Sequence, residues 1–448
     1  MRDLLQRQWR EWCLNLRPRE LFYWLVQNLL RLVVRLRMRV QIIGSERYIP
    51  PAPATLLLSG HKRDWDMLVI APHLYYLRGW WRPDGRRMAF AGREDMFTPG
   101  FFVEIVGGWE WPRWAQYVFE RLSLRPIITP LRAHPILRVP QFNLRHYLFE
   151  LQREEGDLLL GDVLSEELLE RLDRQSNALA RRKRKAAPRP SRELHISEVL
   201  TWGYREALMP YLRQRFLLPR RYTEYKERQR LKLARQLQTL ADVLKQGDTL
   251  WLAPEGRITP DGAVRHILSG VGQVLDLAPP GTRVLPVNIS YDFMTTGRAR
   301  ACICIGPPLT ALAGLARAEL SERIRSAITR QTVVTMSMLG SSFLWERLQQ
   351  GQPVFDAKTA YSALAQKMQT LAMQPVILEH GLLRANGLRK RLRGFLRYGC
   401  RAGLLIAGAG STYQINPTPF QGQHDTFFWR NPRYCVNELA ALEETLAV

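Results

Sequence analysis

The chain has 448 residues, 46% of them hydrophobic and 10% aromatic, which supplies a large core and excludes a disordered polypeptide. Its 65 Lys and Arg against 41 Asp and Glu leave a formal net charge of +24, which points to an anionic partner: nucleic acid, an anionic membrane surface, or an acidic substrate or carrier. Cys13, Cys302, Cys304, Cys400 and Cys435 are scattered with no C-x2-C spacing, which argues against a disulfide framework or zinc cluster and fits a reduced cytosolic setting.

In chain order, the start MRDLLQRQWREW lacks the apolar core and small-residue cleavage site of a signal peptide. Residues 21–34, LFYWLVQNLLRLVV, are apolar but broken by Gln27, Asn28 and Arg31, and shorter than the roughly 18 residues a spanning helix needs. Arg7, Arg10, Arg17, Arg19, Arg35, Arg37 and Arg39 flank them. Apolar residues with aromatic neighbours and flanking arginines predict an amphipathic helix over 1–39 that lies on an anionic membrane surface, peripheral and at its cytoplasmic face. From residue 40, short apolar runs alternate with helical patterns. Strands are predicted at 40–44, 54–59, 88–92, 249–253, 284–290 and 301–306, and helices at 66–76, 143–154, 225–246, 264–276 and 316–328. The fold class is therefore α/β: a mixed, mostly parallel sheet flanked by helices, spanning 40–310. A basic insertion at about 133–223 contains NALARRKRKAAPRPSR (177–192), which has almost nothing to bury and reads as an exposed linker. Residues 311–448 form a mainly helical extension, with a Gly- and aromatic-rich tail after 394 that no pattern places.

Two stretches carry chemistry. SGHKRDWD ends a buried strand and opens a helix, so His61 sits at a strand's C-terminal end, where open α/β sheets bind ligands. Asp66, about one turn further on, is within reach of the imidazole; a carboxylate there fixes the tautomer and leaves the other nitrogen free as a base. Later, LWLAPEGRITPDG follows a β-rich run, with Gly256 allowing close backbone approach and Arg257 offering a planar fork for phosphate.

Together and in this order, H-x4-D and PEGR resemble the glycerolipid acyltransferase family of the 1-acylglycerol-3-phosphate type. The resemblance covers about residues 40–310 without the insertion. It is extended by VLPV around Pro286, by RACICIGPPL (300–309), and by GREDMFTPGFF, which places Arg93. The family's remaining motif, a glycine, a short strand and an arginine, is met by Gly107 to Arg113 in spacing, with Pro112 inside the strand. It is also met by Arg132 at the end of RPIITPLR, which has the better strand but lies further away; the spacing favours Arg113.

The resemblance implies transfer of a fatty acyl group from acyl-CoA or acyl carrier protein to the hydroxyl of a lysophosphatidic acid-type acceptor in phospholipid synthesis. Glycerol 3-phosphate or another lysolipid is the alternative acceptor. His61 and Asp66 would be catalytic. Arg257, with Arg113 or Arg132, would hold the acceptor phosphate, and Glu255 would bind a glycerol hydroxyl or orient an arginine. No metal or cofactor is implied. Two readings from other classes compete. One is an inactive relative serving as a membrane scaffold. The other is a nucleic-acid-binding protein, motivated by the charge but lacking a recognisable binding motif.

Overall fold

The computed structural model describes residues 18–48, 54–63, 65–77, 87–102, 111–137, 144–182, 189–200, 204–208, 212–312, 314–421 and 431–447. Arg7, Arg10, Arg17, the strand expected from Gly107 and residues 183–188 of the linker lie outside them. The strands are β1 (Met38–Ile43), β2 (Thr55–Ser59), β3 (Met88–Arg93), β4 (Ala133–Ile136), β5 (Thr249–Leu252), β6 (Arg283–Asp292), β7 (Ala299–Ile305), β8 (Val333–Val334), β9 (Val354–Asp356), β10 (Ile377–Leu378), β11 (Leu405–Ala407) and β12 (Thr412–Ile415). The longer helices, with the four-residue turn α4, are α1 (Pro18–Arg37), α2 (Asp66–Tyr75), α3 (Arg113–Arg121), α4 (Arg125–Ile128), α5 (Leu144–Glu155), α6 (Glu166–Arg182), α7 (Pro219–Lys245), α8 (Gly270–Leu277), α9 (Arg317–Thr329), α10 (Met336–Gln349), α11 (Ala357–Ala372), α12 (Gly387–Arg401) and α13 (Pro432–Ala447). The fold is the expected α/β class, a mostly parallel sheet flanked by helices.

The chain divides into two compact units, residues 1–89 with 241–448, and residues 90–240. In the first, β5, β2 and β6 run parallel, β7 is antiparallel to β6, and β1 is parallel to β7. Leu56, Leu57 and Leu58 are fully buried, as is nearly all of β6. Continuous apolar runs of this kind belong to strands covered on both faces. Residues beyond 311 pack in this same unit: α10, α11, α12 and α13 share one apolar core with β9, β11 and β12, which form a small antiparallel sheet. Among the described residues, the tail that no pattern placed thus supplies β11, β12, a helical turn at Thr418–Gln421 and α13.

α1 packs its Tyr23, Gln27, Arg31 and Val34 side inward, against α2, and Arg31 donates to the Tyr76 carbonyl at 3.0 Å. Its other side leaves Leu21, Phe22, Leu25, Leu29, Leu32, Val33 and Leu36 exposed. Among the described residues, no helix is long and apolar enough to cross a membrane.

The second unit pairs β3 with β4 in parallel and has its own core, built from α5, α6 and the residues around Val199 and Phe216. Two sequence expectations change here. The linker starts inside α6, which continues to Arg182, and its far end is seated, with Ser191 buried and its N–H donating to Asp173 at 2.6 Å. RPIITPLR is not a strand: Pro126 stands at the start of the helical turn α4, where its fixed φ and missing donor are favourable.

Candidate functional site

β2 carries its buried leucines to Ser59 and the chain then turns through Gly60, where an added Cβ would meet Val264 at 3.1 Å. The next residues wrap around one carboxylate. Asp66, the first residue of α2, has no solvent exposure. Its Oδ2 accepts from the backbone N–H of Lys62 at 2.6 Å and of Arg63 at 2.9 Å, and faces His61 Nδ1 at 3.1 Å. Its Oδ1 accepts from the Tyr291 hydroxyl at 2.6 Å. Burial, and then the Asp66 charge, push the Tyr291 phenol pKa well above its ordinary value, so this hydroxyl stays a donor. Because an ionised carboxylate only accepts hydrogen bonds, the tautomer that completes the pair has its proton on His61 Nδ1 and leaves Nε2 as the unbonded ring nitrogen. The imidazole is 21% exposed and its Nε2 has no partner among the described residues. The Trp251 ring, from β5, meets it edge-on at 5.8 Å.

Behind the dyad the loop is anchored to the chain's far end. Lys62 is 2% exposed and its ammonium is ion-paired with Glu438 of α13, a carboxylate 5% exposed. Burial raises the Glu438 pKa against the opposing pull of Lys62. Arg63 stacks over Phe293 at 3.2 Å and Tyr291 at 4.5 Å, and burial lowers its pKa to about 10. A small cavity lies among Lys62, Arg63, Tyr291, Phe293, Tyr434 and Glu438.

The PEGR segment folds as a turn after β5 and is joined to the dyad loop by Thr259, whose N–H donates to the His61 carbonyl at 2.6 Å. Gly256 adopts φ 60°, the left-handed conformation that glycine accepts without strain. The buried Glu255 carboxylate accepts from the Thr259 hydroxyl at 2.6 Å and the Arg265 N–H at 3.0 Å, so it fastens the loop from inside. Arg257 is exposed, with no hydrogen bond or ion pair to a described residue. Pro286 is buried in β6 opposite Leu58, and its carbonyl accepts from Gly306 at 2.8 Å. It stands just before the β6–β7 ladder begins, so its missing N–H breaks no ladder bond on that side.

The first unit therefore brings together His61, Asp66 and the Glu255–Gly256–Arg257 turn, with Pro286 in the sheet beside β2. The arginines of the other motifs belong to the second unit. Arg93 ends β3 and is ion-paired with Asp95, Arg113 opens α3, and Arg132 precedes β4 with φ 65° while its carbonyl accepts from Phe90. In that unit too, ligand atoms of Glu94, His146 and Glu150 lie within 4.8 Å of one another, and the Lys232 ammonium is ion-paired with both glutamates.

Sequence reasoning missed Tyr291, Trp251, Lys62 and Glu438. Lys62 and Trp251 lie inside the quoted motifs, but nothing in a one-dimensional pattern ties residue 291 or 438 to residue 66. No protein-family model matches the chain, and no curated protein matches it in sequence.

Proposed function

We propose that the protein is an acyltransferase that moves a fatty acyl group from acyl-CoA or acyl carrier protein to the hydroxyl of a lysophosphatidic acid-type acceptor. The observation that carries this reading is the His61–Asp66 pair: a carboxylate held by four donors and, at the end of β2, a partly exposed imidazole whose second nitrogen has no partner among the described residues. His61 Nε2 takes the acceptor's hydroxyl proton as that oxygen attacks the thioester carbonyl. The carbon–oxygen bond forms, the carbon–sulfur bond breaks, and the proton passes from His61 to the departing thiolate. Positioned base catalysis contributes about 10²–10⁴-fold, and holding the two substrates together contributes much of the rest. No side-chain nucleophile is needed, because the acceptor hydroxyl fills that role. Arg257, with no partner among the described residues and on a glycine turn, suits the acceptor phosphate.

The exposed apolar side of α1, with Arg37 and Arg39 exposed at its end, supports peripheral binding to an anionic membrane at its cytoplasmic face. Such a position gives the site access to a lipid acceptor.

The test is acyl transfer with acyl-CoA and acyl carrier protein as donors, and lysophosphatidic acid, glycerol 3-phosphate and lysophosphatidylcholine as acceptors. His61→Ala is expected to lower kcat about 10²–10⁴-fold with little change in acceptor KM, and Asp66→Asn to resemble it. Arg257→Ala is expected to raise acceptor KM about 10–150-fold, the effect of losing a charge-assisted hydrogen bond, with donor KM nearly constant. Full turnover in His61→Ala sinks the assignment.

A further inference from the structure

α12, GLRKRLRGFLRYGCR, contains no acidic residue. Its inner side buries Leu388, Leu392, Phe395 and Leu396. On its outer side Arg389, Arg393, Arg397 and Arg401 follow one another at intervals of four, so they form one ridge about 18 Å long. All four are exposed. None has a carboxylate partner among the described residues; Arg389 only lies over the Tyr361 ring at 5.5 Å. Like charges at this spacing repel, and Arg389 and Lys390 also stand in the first turn, where the helix dipole disfavours cations.

Other basic residues on a long helix have acidic partners. Along α7, Arg220, Arg221, Arg228 and Lys232 are each ion-paired with glutamate. A local cost without an internal return is the mark of a surface kept for something outside the protein.

The inner anchor of α12 shows what borders the ridge. Arg391 is ion-paired with Asp292 and Glu379, and Glu379 also pairs with Arg300. Arg39, Arg300 and Asp292 stand in register across β1, β7 and β6. Arg39 is the second residue of β1, and β1 begins directly after α1, so the ridge helix is seated beside the end of the helix that carries the exposed apolar stripe.

We infer that the α12 ridge is a docking surface for the phosphates of an anionic bilayer, acting beside the apolar stripe of α1. This rests on the reading of α1 as lipid-facing. A bilayer offers both hydrocarbon and phosphate, the two chemistries that the stripe and the ridge expose. A nucleic acid or an acidic protein would meet the ridge and leave the stripe uncovered.

The experiment uses the full chain with two vesicle types, phosphatidylcholine alone and phosphatidylcholine with phosphatidylglycerol. Three variants are compared: all four ridge arginines changed to Gln, the same four changed to Lys, and Leu25, Leu29 and Leu32 changed to Ser. Each ridge charge is worth about fivefold in binding near an anionic surface. The Gln variant is therefore expected to bind anionic vesicles about two to three orders of magnitude more weakly at low salt. It should keep wild-type binding to phosphatidylcholine and show a flatter salt dependence. The Lys variant should retain most of the anionic binding. The Ser variant should lose binding to both vesicles. Wild-type affinity for anionic vesicles in the Gln variant overturns the ridge assignment and leaves the α1 reading standing. Failure of the wild-type protein to bind either vesicle overturns both. A gel shift with duplex RNA that is lost only in the Gln variant, with vesicle binding unchanged, assigns the ridge to nucleic acid instead.

Discussion

Removing the charge of Glu438 strips a buried ammonium of its counter-ion, and the site makes the consequence calculable. Lys62 is 2% exposed, so in the Glu438→Gln variant its charge cannot be hydrated without opening the loop that holds Asp66. Breaking a buried ion pair by removing one partner costs about 3–5 kcal/mol, because desolvation of the remaining charge is no longer offset. Replacing both partners with apolar residues of similar volume removes the cost, so Lys62→Met with Glu438→Leu is expected within about 2 kcal/mol of wild type. Equilibrium urea unfolding of the full chain measures both variants, and turnover is followed in parallel. Because the Lys62 N–H is the shortest of the backbone bonds to Asp66, the Gln variant should lose turnover below the temperature at which it unfolds. The double variant should regain it. Stability of Glu438→Gln within about 1 kcal/mol of wild type would show that the Lys62 ammonium is solvated, and the reasoning from burial would be refuted.

Other outcomes follow from the same geometry. His73 on α2 is buried, and burial, supported by the charges of Arg31 and Arg35 and opposed by its bond to the Val69 carbonyl, lowers its pKa from 6.5 to about 4. The fold thus favours the neutral ring. Its contribution, about 3 kcal/mol, is present above pH 6.5 and is lost as pH falls through about 4. His73→Gln should flatten the stability profile across that window; an unchanged profile would show that another group controls it. Tyr291→Phe should cost about 1–3 kcal/mol in unfolding free energy, since Asp66 Oδ1 loses its donor, and should reduce turnover less than Asp66→Asn. Replacing the linker residues Arg181 to Lys185 with Ser should leave kcat near wild type, measured with saturating donor and acceptor.

How much of this was legible depended on the sequence distance between partners. The strands β1, β2, β5, β6 and β7 are apolar runs that announce themselves, and the dyad is readable because His61 and Asp66 are five residues apart on a strand-to-helix turn. The helix expected from residue 264 starts only at Gly270, because Val264 and Ile267 are buried from an extended loop whose Arg265 N–H is held by Glu255. Periodicity cannot separate those cases. Ile127 and Ile128 suggested a strand through β-branching, but Pro126 favours the start of a helical turn. Tyr291 and Glu438 could not be found at all, since their partners lie 225 and 376 residues away and neither neighbourhood carries a distinguishing pattern.

The separation of Lys62 from Glu438 also sets a schedule for synthesis. At about 5–20 residues per second, the 376 residues between them take about 20–75 s to be made. For that interval a nascent chain carries His61, Asp66 and the Lys62 charge, but not the carboxylate that lets the ammonium stay buried. The loop around Asp66 can settle only once α13 has emerged and packed. A chain interrupted anywhere before Glu438 would therefore hold His61 and Asp66 without their geometry, which couples the arrangement of this pair to synthesis through α13.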